Sequence, residues 1–141
     1  MSPSGTRVEQ LGRRVRVLIA DDHQVIRKIV RSTLEAHPHL EVCGEATDGA
    51  QTIEAAKKLK PDVVVLNVTM PVVNGFEAAR EIRTSLSEAA IVILSSNADR
   101  RFVAEAKKIG VRAYVAKSGV GEALVKAVES AVMGEDFVLL E

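Results

Sequence analysis

The chain has 141 residues, with 19 basic and 19 acidic side chains and an apolar fraction of 47%. That length favours one domain with a real core. The balanced charge excludes the basic excess of a nucleic-acid surface, and no apolar run is long enough to span a bilayer. The lone cysteine, Cys43, cannot form an internal disulfide and reads as a small buried apolar residue on a strand. The opening "MSPSGTRVEQLGRR" has no apolar h-region of a signal peptide, so a cytoplasmic protein is expected.

In chain order, residues 1–14 read as a flexible tail containing Pro3 and Gly5. "VRVLIA" from Val15 is a first strand. "HQVIRKIVRSTLEAH" places Ile26, Ile29, Val30, Thr33 and Leu34 at helical spacing, and Pro38 stops that helix. "LEVCGEA" is a second strand, and Asp48 can cap a helix bearing Ile53, Ala56 and Leu59. "DVVVLN" is a third strand, and "GFEAAREIRTSL" a third helix. "AIVILSS" follows as the fourth strand. Asp99 can cap a helix carrying Phe102, Val103, Ala106 and Ile109, which Gly110 stops. "RAYVAK" is the fifth strand. A last helix presents Leu124, Val125, Val128, Ala131 and Val132, and Gly134 closes it. Residues 135–141 read as a C-terminal tail or the start of a linker, leaving 15–134 as the domain.

Strands that are nearly all apolar are buried on both faces, and their alternation with helices specifies a parallel sheet. Right-handed crossovers put helices on both sides. The expected fold is therefore α/β: a doubly wound, five-stranded parallel sheet in a three-layer α/β/α sandwich. Ligands of such sheets bind at the carboxyl ends of the strands. That rim carries Asp21, Asp22 and His23 after strand one and Asn67, Val68 and Thr69 after strand three. It also carries Ser95 and Ser96 at the end of strand four, and Lys117 and Ser118 after strand five. Paired carboxylates suit a hard cation such as Mg²⁺. A lysine and a hydroxyl suit phosphoryl oxygens. A carboxylate after strand three would be a phosphoryl-accepting nucleophile, and the residue there is Asn67. His23 reads as a helix-start residue, and Tyr114 as a core aromatic whose phenol wants a polar partner.

Together these stretches resemble the receiver domain of bacterial two-component response regulators, the CheY-like module, from Val15 to about Gly134. "VLIADDH" resembles its acidic pair, "PDVVVLNVTMPVVNGFEA" its phosphoacceptor strand and loop, "IVILSS" its switch hydroxyl, and "AYVAK" its switch aromatic and lysine. "DDHQVIRKIVRSTL" and "AKSG" look most like receivers that precede LuxR/NarL-type DNA-binding domains, with Ser118 where a proline commonly stands. The resemblance implies the strand order 2-1-3-4-5. It implies weak Mg²⁺ binding by Asp21, Asp22 and the Thr69 backbone carbonyl, with Asn67 as a poor fourth ligand. Ser95 and Lys117 would contact a phosphoryl group, and Tyr114 would report the pocket's state to the face made by the fourth helix, fifth strand and fifth helix. Implied partners are a sensor histidine kinase or other signalling protein and a second copy through that face, with no nucleic acid bound by this domain alone and no membrane.

The departure from the family is Asn67, where the phosphoacceptor is an aspartate. Three accounts stay open: a pseudo-receiver that signals through binding, a laboratory Asp-to-Asn substitution that locks an inactive state, and, less favoured, deamidation of Asn67 to Asp, which the bulky Val68 slows. A Mg²⁺-dependent phosphohydrolase is the distant alternative, but it wants Asp-x-Asp after strand one, which "DDHQV" does not supply. A nucleotide-binding reading wants a glycine-rich turn at the same place.

Overall fold

A computed structural model describes residues 12–68, 70, 74–96 and 99–140. The strands are β1 (Val15–Ala20), β2 (Leu40–Ala46), β3 (Val63–Leu66), β4 (Ala90–Ser95), β5 (Ala113–Ala116) and β6 (Val138–Leu140). The helices are α1 (Gln24–Glu35), α2 (Gly49–Leu59), α3 (Gly75–Ser85), α4 (Arg100–Ile109) and α5 (Glu122–Val132), with a short 3₁₀ turn over Lys117–Gly119.

All strand pairings are parallel, in the order β2-β1-β3-β4-β5-β6. The doubly wound order 2-1-3-4-5 is present as expected, but the sheet has six strands, not five. Val138–Leu140, read from the sequence as tail, pairs with β5 in the register Ala113↔Val138, Tyr114↔Leu139 and Val115↔Leu140. The reason is non-local: β5 would otherwise leave a row of unpaired backbone groups at the sheet edge, and the chain leaving α5 passes beside it.

Each sheet face has its own core. Val17, Ile19, Val65, Val92 and Val115 pack with Val30 and Leu34 of α1 and with Leu124 and Val128 of α5. On the other face Leu18, Val64, Leu66, Ile91, Ile93 and Tyr114 meet Ala56 of α2, Ala78 and Ile82 of α3, and Ala106 of α4. Successive strand residues alternate between these two clusters, which is why β3 reads as an unbroken apolar run.

The helix starts follow local chemistry. The carboxylate of Asp48 accepts from Gln51 N at 2.7 Å and that of Asp99 from Arg101 N at 2.8 Å, as their positions predict. α3 begins with a full capping box: Asn74 Oδ1 accepts from Glu77 N at 3.0 Å, and Asn74 N donates back to Glu77 Oε1 at 3.4 Å. Two expectations are corrected. Cys43 lies where the β1–β2 register shifts, opposite no β1 residue, so it is only half-buried. Burial still pushes its thiol upward, away from the thiolate. Arg13, within the expected N-terminal tail, donates to both carboxylate oxygens of Asp62 at 2.8 and 2.9 Å. Asp62 also accepts from Arg16 N at 2.8 Å, so the start of β1 is tied to the start of β3. No helix among the described residues is long and apolar enough to cross a membrane.

Candidate functional site

The carboxyl ends of β1, β3, β4 and β5 meet on one rim, and the parallel ladder sets the depth of each side chain. Asp21 N donates to Ala46 O at 3.1 Å and Asn67 N to Ala20 O at 2.9 Å, so both residues leave the sheet at the same level. Asp21, Asn67 and Ser95 are buried, and Asp22 is about one-third exposed at the mouth.

The polar groups form one connected network. Lys117 Nζ lies 3.2 Å from Asp21 Oδ2. Asn67 Nδ2 donates to Asp22 Oδ1 at 3.1 Å and lies at 3.5 Å from Asp21 Oδ1. His23 N donates to Asp21 Oδ1 at 2.8 Å, and its ring Nδ1 approaches Asp21 Oδ1 at 3.0 Å and Asp22 Oδ1 at 3.3 Å. His23 does start α1, but its side chain makes no cap bond; it turns to the acidic pair. Four of the expected rim residues, Asp21, Asp22, Asn67 and Lys117, are therefore joined by direct contacts, Asn67 to both aspartates and Lys117 to Asp21. Thr69, expected to offer its carbonyl, lies outside the described residues.

Two supporting groups lie outside the site residues expected from the sequence. Arg27 Nη1 donates to Asp21 O at 2.8 Å while its Nε donates to Glu45 Oε1 at 2.9 Å. Arg31 Nε donates to the other Glu45 oxygen at 2.7 Å. Burial pushes Glu45 up, yet the bonds from Arg31 and Arg27 hold its carboxyl below the usual range. The acidic pair is thus braced from α1 and β2. The i, i+4 spacing of Arg27 and Arg31 was the available signal. The other group is Gly75. Its N–H donates to Val68 O at 2.7 Å, and a Cβ there would stand 2.2 Å from Asn67 O.

Ser95 and Tyr114 carry the pocket inward. Tyr114 has no exposed surface and lies in the core that α4 covers. Burial pushes its phenol pKa up, the side-chain hydrogen bond with Ser95 pulls it down, and Asp99 adds to the rise; the net direction is up. The unfolded chain ionises this phenol near pH ~10. Above that pH the unfolded state loses its proton first, so stability is intact below ~10 and falls as pH climbs through the folded-state value. Tyr114 is the sole tyrosine, so tyrosinate absorbance reports it alone. The native midpoint is expected above the midpoint in urea; coincident midpoints would contradict the inward, buried phenol.

The two aspartates and His23 bring ligand atoms within 4.8 Å of one another. The carboxylates match the oxygen donors that Mg²⁺ takes, and turning the Asn67 amide would present its Oδ1 to the same point. The donor set therefore fits a hard cation. In this structure the amide N–H faces the two carboxylates.

Comparison with known proteins agrees with this geometry. The family model for the response regulator receiver domain matches residues 17–129. The transcriptional regulatory protein LiaR of Bacillus subtilis is 35% identical over 121 residues, covering 86% of this chain and 57% of LiaR. Protein CcdB of the same organism is 37% identical over 119 residues, covering 84% of this chain and 98% of CcdB. A solved two-component response regulator of the LuxR family from Aurantimonas sp. SI85-9A1 superposes with a TM-score of 0.83 at 31% identity, covering 88% of this chain and 89% of that one. The chain spans about half the length of the first curated relatives it matches.

Proposed function

The chain belongs to the response regulator receiver family, and from that premise we propose that it is a phosphorelay receiver whose pocket keeps every supporting group but the nucleophile. The observation that carries this reading is the Asn67 amide, held on Asp21 and Asp22 at the end of β3. A carboxylate there would attack phosphorus and become an acyl phosphate. An amide oxygen shares its electrons with the amide nitrogen and is a far poorer nucleophile.

In this reading Asp21 and Asp22 hold Mg²⁺, with the Thr69 carbonyl and, weakly, Asn67. When bound, Mg²⁺ supplies positive charge against phosphoryl oxygens. Lys117, 15% exposed and 3.2 Å from Asp21, offers a second positive group for phosphoryl oxygens. Ser95 presents its hydroxyl to the pocket or to Tyr114, and this exchange links the rim to α4 and β5. Output then runs through the α4–β5–α5 face, by contact with a sensor histidine kinase, another signalling protein or a second copy. The domain acts as a switch and not as an enzyme, in the cytoplasm.

One observation favours a phosphorylation-independent form of this module. The Asn67 amide contacts both aspartates and Lys117 contacts Asp21, so the protein's own side chains offer donors and positive charge to the acidic pair. Calorimetric Mg²⁺ titration tests the pocket. The chain is expected to bind Mg²⁺ weakly, Asp22→Asn to bind none, and Asn67→Asp to bind more tightly. Equal heats from all three would contradict the assignment of Asp22 as a ligand.

A further inference from the structure

We propose that residues 135–140 are an intramolecular plug of the α4–β5–α5 face. They occupy the β5 edge in cis and yield it to the same segment of a second copy. The inference takes the output face from the receiver reading above but does not use the pocket.

β6 enters a groove that fits it on both sides. Phe137 packs against the cluster containing Tyr114 and Ala106, and Lys107 of α4 stands 6.0 Å above its ring centroid. Leu140 packs against the opposite core, the one α5 covers. Val138 N donates to Arg112 O at 3.2 Å. Upstream, Ser130 Oγ donates to Glu135 Oε1 at 2.7 Å and Glu135 N to Ser130 O at 3.2 Å. The segment 135–140 therefore touches α4, β5 and α5 together, the three elements through which output is expected to run. Tyr114 pairs in register with Leu139, so the switch aromatic lies on the strand that the plug covers.

The same features make the plug removable. Its strand is only three residues long, its Leu139 is 42% exposed, and the segment follows Gly134, at φ +73°, where an added Cβ would meet nothing within 4 Å. That glycine is the pivot at which the proposed release turns the segment outward. Short edge strands with few buried contacts open at low local cost. A groove built for this sequence accepts the identical strand from a second copy, and reciprocal exchange closes as a two-fold dimer.

The test uses a dye-labelled peptide of residues 134–141 and three full-length chains: the unaltered protein, Phe137→Ser and Val138→Pro. The serine removes the ring from the groove; the proline removes the N–H that bonds Arg112 O. Tyr114 is the only tyrosine and there is no tryptophan, so acrylamide quenching of intrinsic emission reads that residue alone. Both variants are expected to keep their helical circular dichroism, to show severalfold stronger quenching, and to bind the peptide with recovery of Tyr114 protection. The unaltered chain is expected to bind it more weakly, by the fraction of time its own strand is released. Equal peptide binding by all three chains, no binding by any, or unchanged quenching in both variants would overturn the proposal. So would global unfolding of both variants, because β6 would then be an inseparable part of the core. A pocket that fails the Mg²⁺ titration leaves these outcomes unaffected, so the two readings fail separately.

Discussion

Asn67→Asp is expected to lower the melting temperature in the absence of divalent cations and to recover on adding Mg²⁺. The amide nitrogen lies 3.1 Å from Asp22 Oδ1 and 3.5 Å from Asp21 Oδ1, so a carboxylate there exchanges two favourable contacts for two like-charge pairs. At ~4 Å and an effective dielectric near that of a protein surface, each such pair costs about 4 kcal/mol before screening. Lys117, 3.2 Å from Asp21, and solvent entering past the part-exposed Asp22 offset much of this. A net loss of about 2 to 4 kcal/mol is expected, which for a domain of this size is on the order of 10 °C. Mg²⁺ reverses the sign because three carboxylates bind a hard cation better than two. Thermal melts with chelator and with excess Mg²⁺ measure both effects. A variant that melts higher than the parent without metal would show that the pocket's charges do not repel as the geometry requires.

Gly75→Ala is expected to be the most damaging single methyl group near the site. The new Cβ would lie 2.2 Å from Asn67 O, 2.7 Å from Val68 Cα and 2.9 Å from Asn67 C. All three contacts are backbone, so no side chain can turn away. Relief requires α3 to retreat from the β3 end, against the 2.7 Å bond from Gly75 N to Val68 O and the Asn74–Glu77 capping box. Overpacking of this kind costs about 1–3 kcal/mol, and an obstruction made of backbone falls at the upper end. Urea unfolding measures the loss. The same substitution should also weaken Mg²⁺ binding in the Asn67→Asp background, since Asn67 is the residue displaced. A stability within error of the parent would contradict the close approach.

The parallel sheet was legible because its signals are local. "VVVL" can only be a strand buried on both faces, and Asp48 and Asp99 announce helix starts within three residues of themselves. The rim residues could be ordered for the same reason, since each directly follows its strand. What the sequence concealed depends on partners distant in the chain. "FVLL" is too short to declare a strand unless the edge of β5 is known to lie beside it. Arg27 reads as one more basic residue on a helix until Asp21 O and Glu45 are seen 2.8 and 2.9 Å away. The orientation of the Asn67 amide depends on two aspartates 45 and 46 residues earlier. Cys43 reads as buried because the pattern of β2 runs straight through it, whereas the register shift beside it is a property of the pair of strands.

Asn67 stands where a phosphoryl-accepting pocket would place its nucleophile, so restoring a carboxylate there is expected to restore phosphoryl acceptance. Intact mass before and after incubation with Mg²⁺ and a small-molecule phosphodonor tests it most directly, for this chain and for Asn67→Asp side by side. The predicted result is a single phosphoryl adduct on Asn67→Asp and none on the parent. An adduct on the parent, or none on Asn67→Asp, would contradict it.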